Sequence, residues 1–253
     1  SGAGLGAGYL TQKRTHGGNK QGSIAQWQTT FGGFTWRQAI AVPSHVTAVR
    51  VAFPMNGNGT WTVDEWYVGT TDTAGSFELG SGATWARGTF DGGSIAVKTI
   101  PQATFPNGYQ TSTAYDFVWS DWIPVSTLNV TGKTYKIILL SAYSASANTA
   151  TCNPVGGDNS NWQTIPALPI WDAFKTGNLA SGSLSGSSNP QTVPFHGIEW
   201  ITAGAGISIG SFSDSIDYGD GLTPKGTGWP HGVAASLTAS TGAGVSCYNN
   251  AQN

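Results

Sequence analysis

The stretch Val46-Thr47-Ala48-Val49-Arg50-Val51-Ala52-Phe53 carries apolar side chains at alternate positions, the pattern of a β-strand with one buried face. A second run, Thr60-Trp61-Thr62-Val63-Asp64-Glu65-Trp66-Tyr67-Val68, is rich in β-branched and aromatic residues, which favour strands. Between the two lies Asn56-Gly57-Asn58-Gly59, which is typical of tight turns. The pattern therefore predicts a β-hairpin. The positions predicted to be buried are Val49, Val51, Phe53, Trp61 and Val63.

Further strands are predicted at Ser94–Ile100, Tyr115–Trp119 and Thr134–Tyr143, the last with Ile138 buried. Short strands separated by turn sequences, with no helical period between them, favour an antiparallel β-sandwich of the jelly-roll type. Residues 145–195 are rich in Ser, Asn, Gly and Pro, which indicates long loops with one or two embedded strands. The predicted fold is therefore mainly β.

The pattern changes near residue 200. Gly206–Phe212 is a short apolar strand, Gly228–Leu237 resembles an amphipathic helix with Pro230 in its first turn, and Val245–Asn249 is a second strand. A strand, a helix and a strand within about 45 residues predict a βαβ unit with parallel pairing. We therefore predict an N-terminal arm at 1–22, a β-sandwich module at 23–200, and the start of an α/β domain at 201–253.

The composition excludes several classes of protein. Only 9% of the 253 residues are charged, against about 25% in an average protein, whereas 39% are hydrophobic and eleven are Trp. Such a chain can bury a core, and its net charge of −2 gives no footprint for nucleic acid or for an anionic membrane. No apolar stretch approaches the ~18–20 residues of a membrane helix. Few Lys and Glu beside many Ser, Thr, Gly and Trp indicate a secreted protein or an extracellular module.

The cysteine and acidic residues give only weak indications of a disulfide or a metal site. Cys152 and Cys247 either form a disulfide or remain two buried thiols, and the sequence does not decide between them. Asp214, Asp217 and Asp220 resemble a calcium loop but lack its closing glutamate. We therefore predict neither a metal site nor a cofactor.

One serine stands out by its position. The strand ending at Phe212 continues into Ser213-Asp214-Ser215. Open parallel sheets bind their ligands at the carboxyl ends of their strands, where Ser215 is expected to lie. There its hydroxyl can act as a nucleophile while its own N–H stabilises an oxyanion.

The stretch GSFSDSIDYGDGLTPKGTGWPHGVAASL resembles the first signature block of the SGNH (GDSL-type) hydrolases, Gly-Asp-Ser followed by an aliphatic residue. The resemblance implies a flavodoxin-like α/β domain in which Ser215 is the nucleophile and an oxyanion donor, with Asp214 as its acidic neighbour. The stretch VSCYNNAQN resembles the second block and puts Ala251 at the position of an oxyanion-hole glycine. Ser213 likewise stands where the motif has glycine.

The resemblance also shows what this sequence lacks. The family's third block supplies an oxyanion asparagine, and its last block supplies Asp-x-x-His, the acid and base of the triad. None of the four histidines here follows an aspartate by three residues; they are His16, His45, His196 and His231. We therefore expect a second polypeptide to complete the domain, as in a cleaved chain, and we expect the isolated chain to be inactive.

The leading functional interpretation is the N-terminal part of a secreted ester hydrolase that forms an acyl-enzyme on Ser215. Its substrate would be a carbohydrate-linked or a simple carboxylic ester. A first alternative is a non-catalytic carbohydrate- or surface-binding module, in which Trp119 and Trp122 stack on sugars, although core packing is expected for half of the set Trp61, Trp66, Trp119 and Trp122. A second alternative is a phage or virion structural component.

Overall fold

The computed structural model describes residues 10–13, 28–30, 32–44, 46–54, 60–101, 117–125, 130–131, 133, 135–145, 149–151, 163–164, 168–185, 195, 197–202, 206–213, 229, 232–233, 236–237, 240 and 244–251. These residues form seventeen strands: β1 Leu10–Lys13, β2 Gln28–Thr30, β3 Phe34–Pro43, β4 Val46–Pro54, β5 Trp61–Val63, β6 Glu65–Thr71, β7 Ala86–Arg87, β8 Lys98–Ile100, β9 Phe117–Trp119, β10 Ile123–Pro124, β11 Tyr135–Ser144, β12 Thr149–Thr151, β13 Gln163–Thr164, β14 Leu168–Thr176, β15 Gly197–Thr202, β16 Gly206–Ser213 and β17 Gly244–Ala251. The predicted class, mainly β with antiparallel sheets, is confirmed.

Two sheets contain most of the strands. One has the order β13-β14-β3-β11-β6-β7, and every pair in it is antiparallel. The other has the order β1-β15-β4, with β9 and β10 following one another along the far edge of β4. The remaining strands form three pairs, namely β2 with β12, β5 with β8, and β16 with β17.

One hydrophobic core joins the two large sheets. Phe53 of β4 lies between aromatic rings from both sides, with its ring centroid 5.7 Å from that of Trp66 on β6 and 5.8 Å from that of Phe195. Strands β3, β6 and β11 of one sheet and β4 and β15 of the other all contribute buried side chains to this cluster. Burial of so many large apolar groups is the main favourable contribution to folding.

The predicted buried positions are confirmed. Val49, Val51, Phe53, Trp61, Val63 and Ile138 are each at most 1% exposed. Alternation therefore identified the buried face of β4 correctly.

The predicted hairpin is wrong. One edge of β4 pairs with β15 and the other with β9 and β10, so β4 has no edge left for the run that begins at Trp61. That run divides at Asp64 into β5, which pairs with β8, and β6, which joins the six-stranded sheet. Trp61 and Trp66 meet Phe53 across the core, and this packing replaces the local strand pairing. The Asn56–Gly59 stretch lies outside the described residues.

The six-stranded sheet is buried on both faces at its centre. Residues 136–142 of β11 are all buried, which explains why the run KIILLSA is almost continuously apolar. On the outer face, Phe77, Leu79 and Trp85 from the segment after β6 pack against a second cluster that includes Ile137 and Leu139.

A buried cation supports the segments that pack on this second cluster. Arg37 on β3 is fully buried, and its guanidinium lies 4.5 Å from the centroid of the Trp85 ring. Its N–H groups donate hydrogen bonds to Ser141 Oγ (3.1 Å) and to the carbonyls of Phe77 (2.7 Å), Leu179 (2.9 Å), Ala180 (3.2 Å) and Gly182 (2.9 Å). Burial lowers the pKa of Arg37 to about 10, and the charge of Glu78 opposes this shift. Arg37 therefore stays cationic at neutral pH and ties two loops to the sheet.

The predicted arm contains a strand, and the stretch predicted as long loops with one or two embedded strands contains three described ones, β12, β13 and β14. Leu10–Lys13, within the predicted arm, is an edge strand paired with β15. The nine-residue β14 lies in the stretch interpreted as long loops and pairs with β3. Its sequence, LPIWDAFKT, has no strict alternation of apolar and polar residues, so its strand character depends on the partner.

The last two described strands are parallel, as the sequence predicts. β16 pairs with β17 in register from Gly206 opposite Gly244 to Ser213 opposite Ala251. Between them, residues 229, 232–233, 236–237 and 240 are helical. The larger α/β domain to which these elements would belong is not shown.

Gly88→Ala is expected to destabilise the protein by about 3 kcal/mol, because a Cβ at this position would overlap the buried indole of Trp66. The Gly88 N–H donates to the Trp66 carbonyl (2.8 Å), so the backbone cannot easily withdraw. Urea unfolding measures the loss. The cost should shrink in a Trp66→Phe background, since the smaller phenyl ring lacks the indole Cζ2, one of the overlapped atoms. Gly232→Ala, at a helical position with open space, should cost nothing. Equal losses for Gly88→Ala in both backgrounds would contradict the overlap.

Candidate functional site

Of the residues predicted for the hydrolase site, the structure describes Ala251, at the end of β17. Ser213 is the last residue of β16 and Ala251 is the last residue of β17, and the two are register partners. Asp214 and Ser215 lie outside the described residues, but they follow Ser213 directly in the chain. Parallel strands have their carboxyl ends at the same edge, about 5 Å apart. The backbones of Ser213, which precedes Asp214 in the sequence, and of Ala251 therefore lie side by side where the two strands end.

Two parallel strands that end side by side can place backbone groups from both strands near one ligand atom. A nucleophile just after one strand and a backbone N–H at the end of the next can both approach the same carbonyl carbon and oxygen. Ser213 and Ala251 stand where the two signature blocks have glycine, and both residues keep their backbone N–H groups.

The four tryptophans considered as a sugar platform separate into two pairs. Trp61 and Trp66 are buried in the core, whereas Trp119 and Trp122 are half-buried. The expectation that half of them pack in the core is confirmed. Only Trp119 and Trp122 remain candidates for binding.

Trp119 and Trp122 both contact Arg50. The Arg50 guanidinium lies 4.6 Å from the centroid of the Trp119 ring and 4.9 Å from that of Trp122. Arg50 also forms an ion pair with Glu199, its register partner on β15. We call these four residues the Trp–Arg cluster. Their side chains lie on the face of the sheet opposite the core, because Val49 and Val51 on either side of Arg50 are buried.

The chain between the two tryptophans is held firmly to β4. Trp119 pairs with Ala52, and the Ser120 N–H donates to the Val51 carbonyl (2.9 Å). The Val51 N–H then donates to the Ser120 side-chain oxygen (2.9 Å), which replaces a backbone acceptor where β9 ends. β10 restores pairing at Ile123. The intervening residues thus leave the ladder and bring Trp122 onto the same guanidinium as Trp119.

Asp121, between the two tryptophans, anchors a neighbouring loop. Its carboxylate accepts hydrogen bonds from Thr89 Oγ1 (2.8 Å) and from the N–H groups of Gly92 (2.8 Å) and Gly93 (2.7 Å). Partial burial alone would raise the pKa of Asp121, but these three hydrogen bonds together lower it. The ionised carboxylate therefore stabilises the backbone on which the cluster is built.

Asp121→Ala is expected to destabilise the protein by about 1–2 kcal/mol at pH 7, since it removes three hydrogen bonds at a partly exposed site. A pKa lowered by folding means that this stabilisation is present above the unfolded pKa of about 3.9 and is lost as the pH falls through the folded pKa. Urea unfolding at pH 7 and pH 3 should therefore show a smaller gap between wild type and variant at pH 3. A gap that stays constant would contradict the assignment. Asp121→Asn, which keeps one acceptor oxygen, should lose less.

Arg50 and Glu199 were not identified from the sequence. The available signal is their position, because each is a charged residue between two apolar residues in a chain with few charges. Arg50 lies between two valines, and Glu199 lies between Ile198 and Trp200. Such residues point away from the core, but their mutual contact depends on the β4–β15 register.

Several other expectations are addressed only in the described part of the chain. No group of three or more His, Cys, Asp or Glu residues there could hold a metal ion. No helix among the described residues has the length and apolar character needed to cross a bilayer. Cys152 lies outside the described residues, so its pairing with Cys247 stays open.

Comparison with known proteins adds no assignment. No protein-family model matches this sequence, and no curated protein is significantly similar to it.

Proposed function

We propose that this chain carries the nucleophile of an SGNH-type ester hydrolase. The observation that supports the proposal best is the parallel register of β16 and β17, with Ser213 opposite Ala251. Two stretches that resemble the first and second signature blocks are thereby neighbours at one sheet edge. In this proposal Ser215 attacks an ester carbonyl, the N–H groups of Ser215 and Ala251 bind the oxyanion, and water hydrolyses the acyl-enzyme.

The acid and base would come from residues outside this sequence. A serine without a base is a poor nucleophile at neutral pH, and no Asp-x-x-His occurs in this sequence. The described helical residues support a partner, because Trp229 is 54% and Val233 is 40% exposed. Both residues are helical and lie four positions apart in the sequence, the spacing at which side chains on a helix are neighbours, and together they would pack against a further part of an α/β domain.

The rest of the chain would be an accessory module of the hydrolase. We propose that the two large sheets, which share one core, form a jelly-roll-like β-sandwich preceding the catalytic domain. The low charge content and the abundance of Ser, Thr and Gly support secretion. The substrate would be a carboxylic ester, either simple or linked to carbohydrate.

The experiment is covalent labelling by a fluorophosphonate probe. The assembly that contains the Asp-x-x-His pair should be labelled on this chain, and peptide mass spectrometry should place the adduct on Ser215. Ser215→Ala should abolish labelling, whereas Ser213→Ala, the matched serine two residues earlier, should retain it. Labelling that survives in Ser215→Ala, or that occurs at another serine, would refute the proposal.

A further inference from the structure

We propose that the Asp91–Gly92 bond is a latent modification site, at which aspartate isomerises to isoaspartate when Asp121 no longer holds the turn. The proposal goes beyond the hydrolase proposal and does not depend on it, because this turn lies between β7 and β8. It rests on three features of the described residues: a reactive dipeptide, an exposed aspartate with a strained backbone, and a carboxylate that holds the reacting nitrogen.

The dipeptide has the chemistry for isomerisation. Gly92 carries no side chain that would hinder attack by its nitrogen. In the reaction the Gly92 nitrogen bonds to Cγ of Asp91 in its protonated form, and the carboxyl hydroxyl leaves with the nitrogen's proton as water. The product is a five-membered succinimide. Water then adds to the main-chain carbonyl of Asp91 and breaks its bond to the nitrogen, so that the chain continues through Cγ and a free carboxyl group remains.

The aspartate is accessible and its backbone is strained. The Asp91 side chain is 50% exposed, and Gly92 and Gly93 are exposed as well, so water reaches this bond. The φ of Asp91 is 56°, in the left-handed region that residues with a side chain rarely adopt. The two glycines that follow have φ values of 76° and 85°, which cost glycine little. Asp91 therefore keeps its conformation only while other contacts hold it.

Asp121 holds the nitrogen that would react. The Gly92 N–H donates to Asp121 Oδ1 (2.8 Å), and the Gly93 N–H donates to Asp121 Oδ2 (2.7 Å). These bonds fix the peptide planes on both sides of Gly92. The plane between Asp91 and Gly92 cannot rotate toward the Asp91 side chain without breaking the first of them. Because the pKa of Asp121 is lowered, its carboxylate stays ionised and keeps both bonds at neutral pH.

The carboxyl group that would be attacked is held as well. Lys98 Nζ lies 2.6 Å from Asp91 Oδ2, and this ion pair favours the carboxylate, which reacts less readily than the protonated acid. The Ser94 hydroxyl donates to the Asp91 carbonyl (2.8 Å). At the base of the turn, Phe90 and Ile95 exchange two backbone hydrogen bonds of 2.8 and 3.2 Å. The folded turn therefore protects a bond that is reactive in a free peptide.

Isomerisation would prevent the turn from closing again. Isoaspartate adds one carbon to the main chain between Phe90 and Gly92. The N–H groups of Gly92 and Gly93 then no longer reach Asp121 together while Phe90 stays paired with Ile95. The modification would thus release the turn from the β9–β10 segment, to which Asp121 belongs.

The test compares isoaspartate formation at Asp91 in the whole chain, in Asp121→Ala and in a synthetic peptide of residues 88–98. Trypsin cleaves after Arg87 and Lys98, and the peptide between these sites contains no other Asp or Asn, so its chromatography and mass spectrometry report this site alone. During weeks at pH 7, the wild type should isomerise at least about tenfold more slowly than the peptide, because reaction requires the hydrogen bonds to Asp121 to open. Asp121→Ala should isomerise at least about tenfold faster than the wild type for the same reason.

Leu139→Ala separates local opening from global unfolding. It creates a cavity in the second cluster, on the outer face of the six-stranded sheet, and should isomerise at the wild-type rate. If Asp121→Ala does not fold, Asp121→Asn, which keeps one acceptor oxygen, should react at an intermediate rate. The proposal is overturned if the wild type isomerises as fast as the peptide, or if neither folded Asp121 variant exceeds the wild type. It is also overturned if Leu139→Ala accelerates the reaction as much as Asp121→Ala. None of these readouts involves Ser215, so the outcome is independent of the fluorophosphonate result.

Discussion

Ser215→Ala is expected to lower kcat for a p-nitrophenyl ester by at least about three orders of magnitude, measured on the assembly that carries the Asp-x-x-His pair. The reason is chemical: alanine offers no oxygen to attack the carbonyl, so no acyl-enzyme forms. The remaining rate would come from substrate binding and the oxyanion donors alone. The fold should be retained, so circular dichroism and the melting temperature should match those of the wild type.

The neighbouring positions provide the controls for this experiment. Ser213→Gly and Ala251→Gly restore the glycines of the two signature blocks, and each should keep or raise kcat. Both residues end their strands in register, so a gain at either position would link the strand ends to the oxyanion. Turnover by Ser215→Ala equal to that of the wild type would show that Ser215 is not the nucleophile.

Local patterns predicted β4, β11 and the parallel pair β16 and β17, and the buried face of β4, because burial repeats with the period of the backbone. The alternation around Val51 identified the core side of β4, and the apolar run in β11 identified a strand that is buried on both faces. Neither inference needed knowledge of a partner.

Strand partners could not be predicted in the same way. The Asn56–Gly59 sequence indicates a turn, yet it does not specify which strands pair on either side of it. The choice is decided by contacts distant in sequence, such as the pairing of β4 with β15 and the packing of Phe53 on Trp66. The position of β14 within residues 145–195 was not predicted for the same reason, since its strand character comes from pairing with β3.

The two candidate sites differ in the same way, since one is suggested by a local motif and the other depends on strand pairing. The resemblance to a known motif predicts Ser215 and Ala251 as site residues, and the structure shows Ser213, two residues before Ser215, opposite Ala251 in the parallel register. Tryptophan content alone could not separate Trp119 and Trp122 from the core tryptophans. The distinguishing contact is Arg50, which lies about seventy residues away from them in the sequence and is brought close by the pairing of β4 with β9 and β10.

Val51→Asp is expected to destabilise the protein by at least about 4 kcal/mol. Val51 is fully buried at the centre of β4, opposite Ile198. The substitution removes apolar contacts and places a carboxylate in a core formed by aromatic and aliphatic side chains. The Val51 N–H and carbonyl are already bonded to Ser120, so the backbone cannot shift to expose the new side chain without breaking the support of the Trp–Arg cluster.

Urea unfolding measures this cost, and its pH dependence identifies the cause. Burial should raise the pKa of the introduced carboxyl above its unfolded value of about 3.9. The deficit should therefore be smallest below that value and should grow as the pH rises through the raised pKa. Thr47→Asp, at an exposed position of the same strand, should change stability by no more than about 1 kcal/mol. A deficit for Val51→Asp as small as that for Thr47→Asp would mean that this face of β4 does not pack in the core. A deficit that is large but independent of pH would point to lost packing alone, without a buried charge.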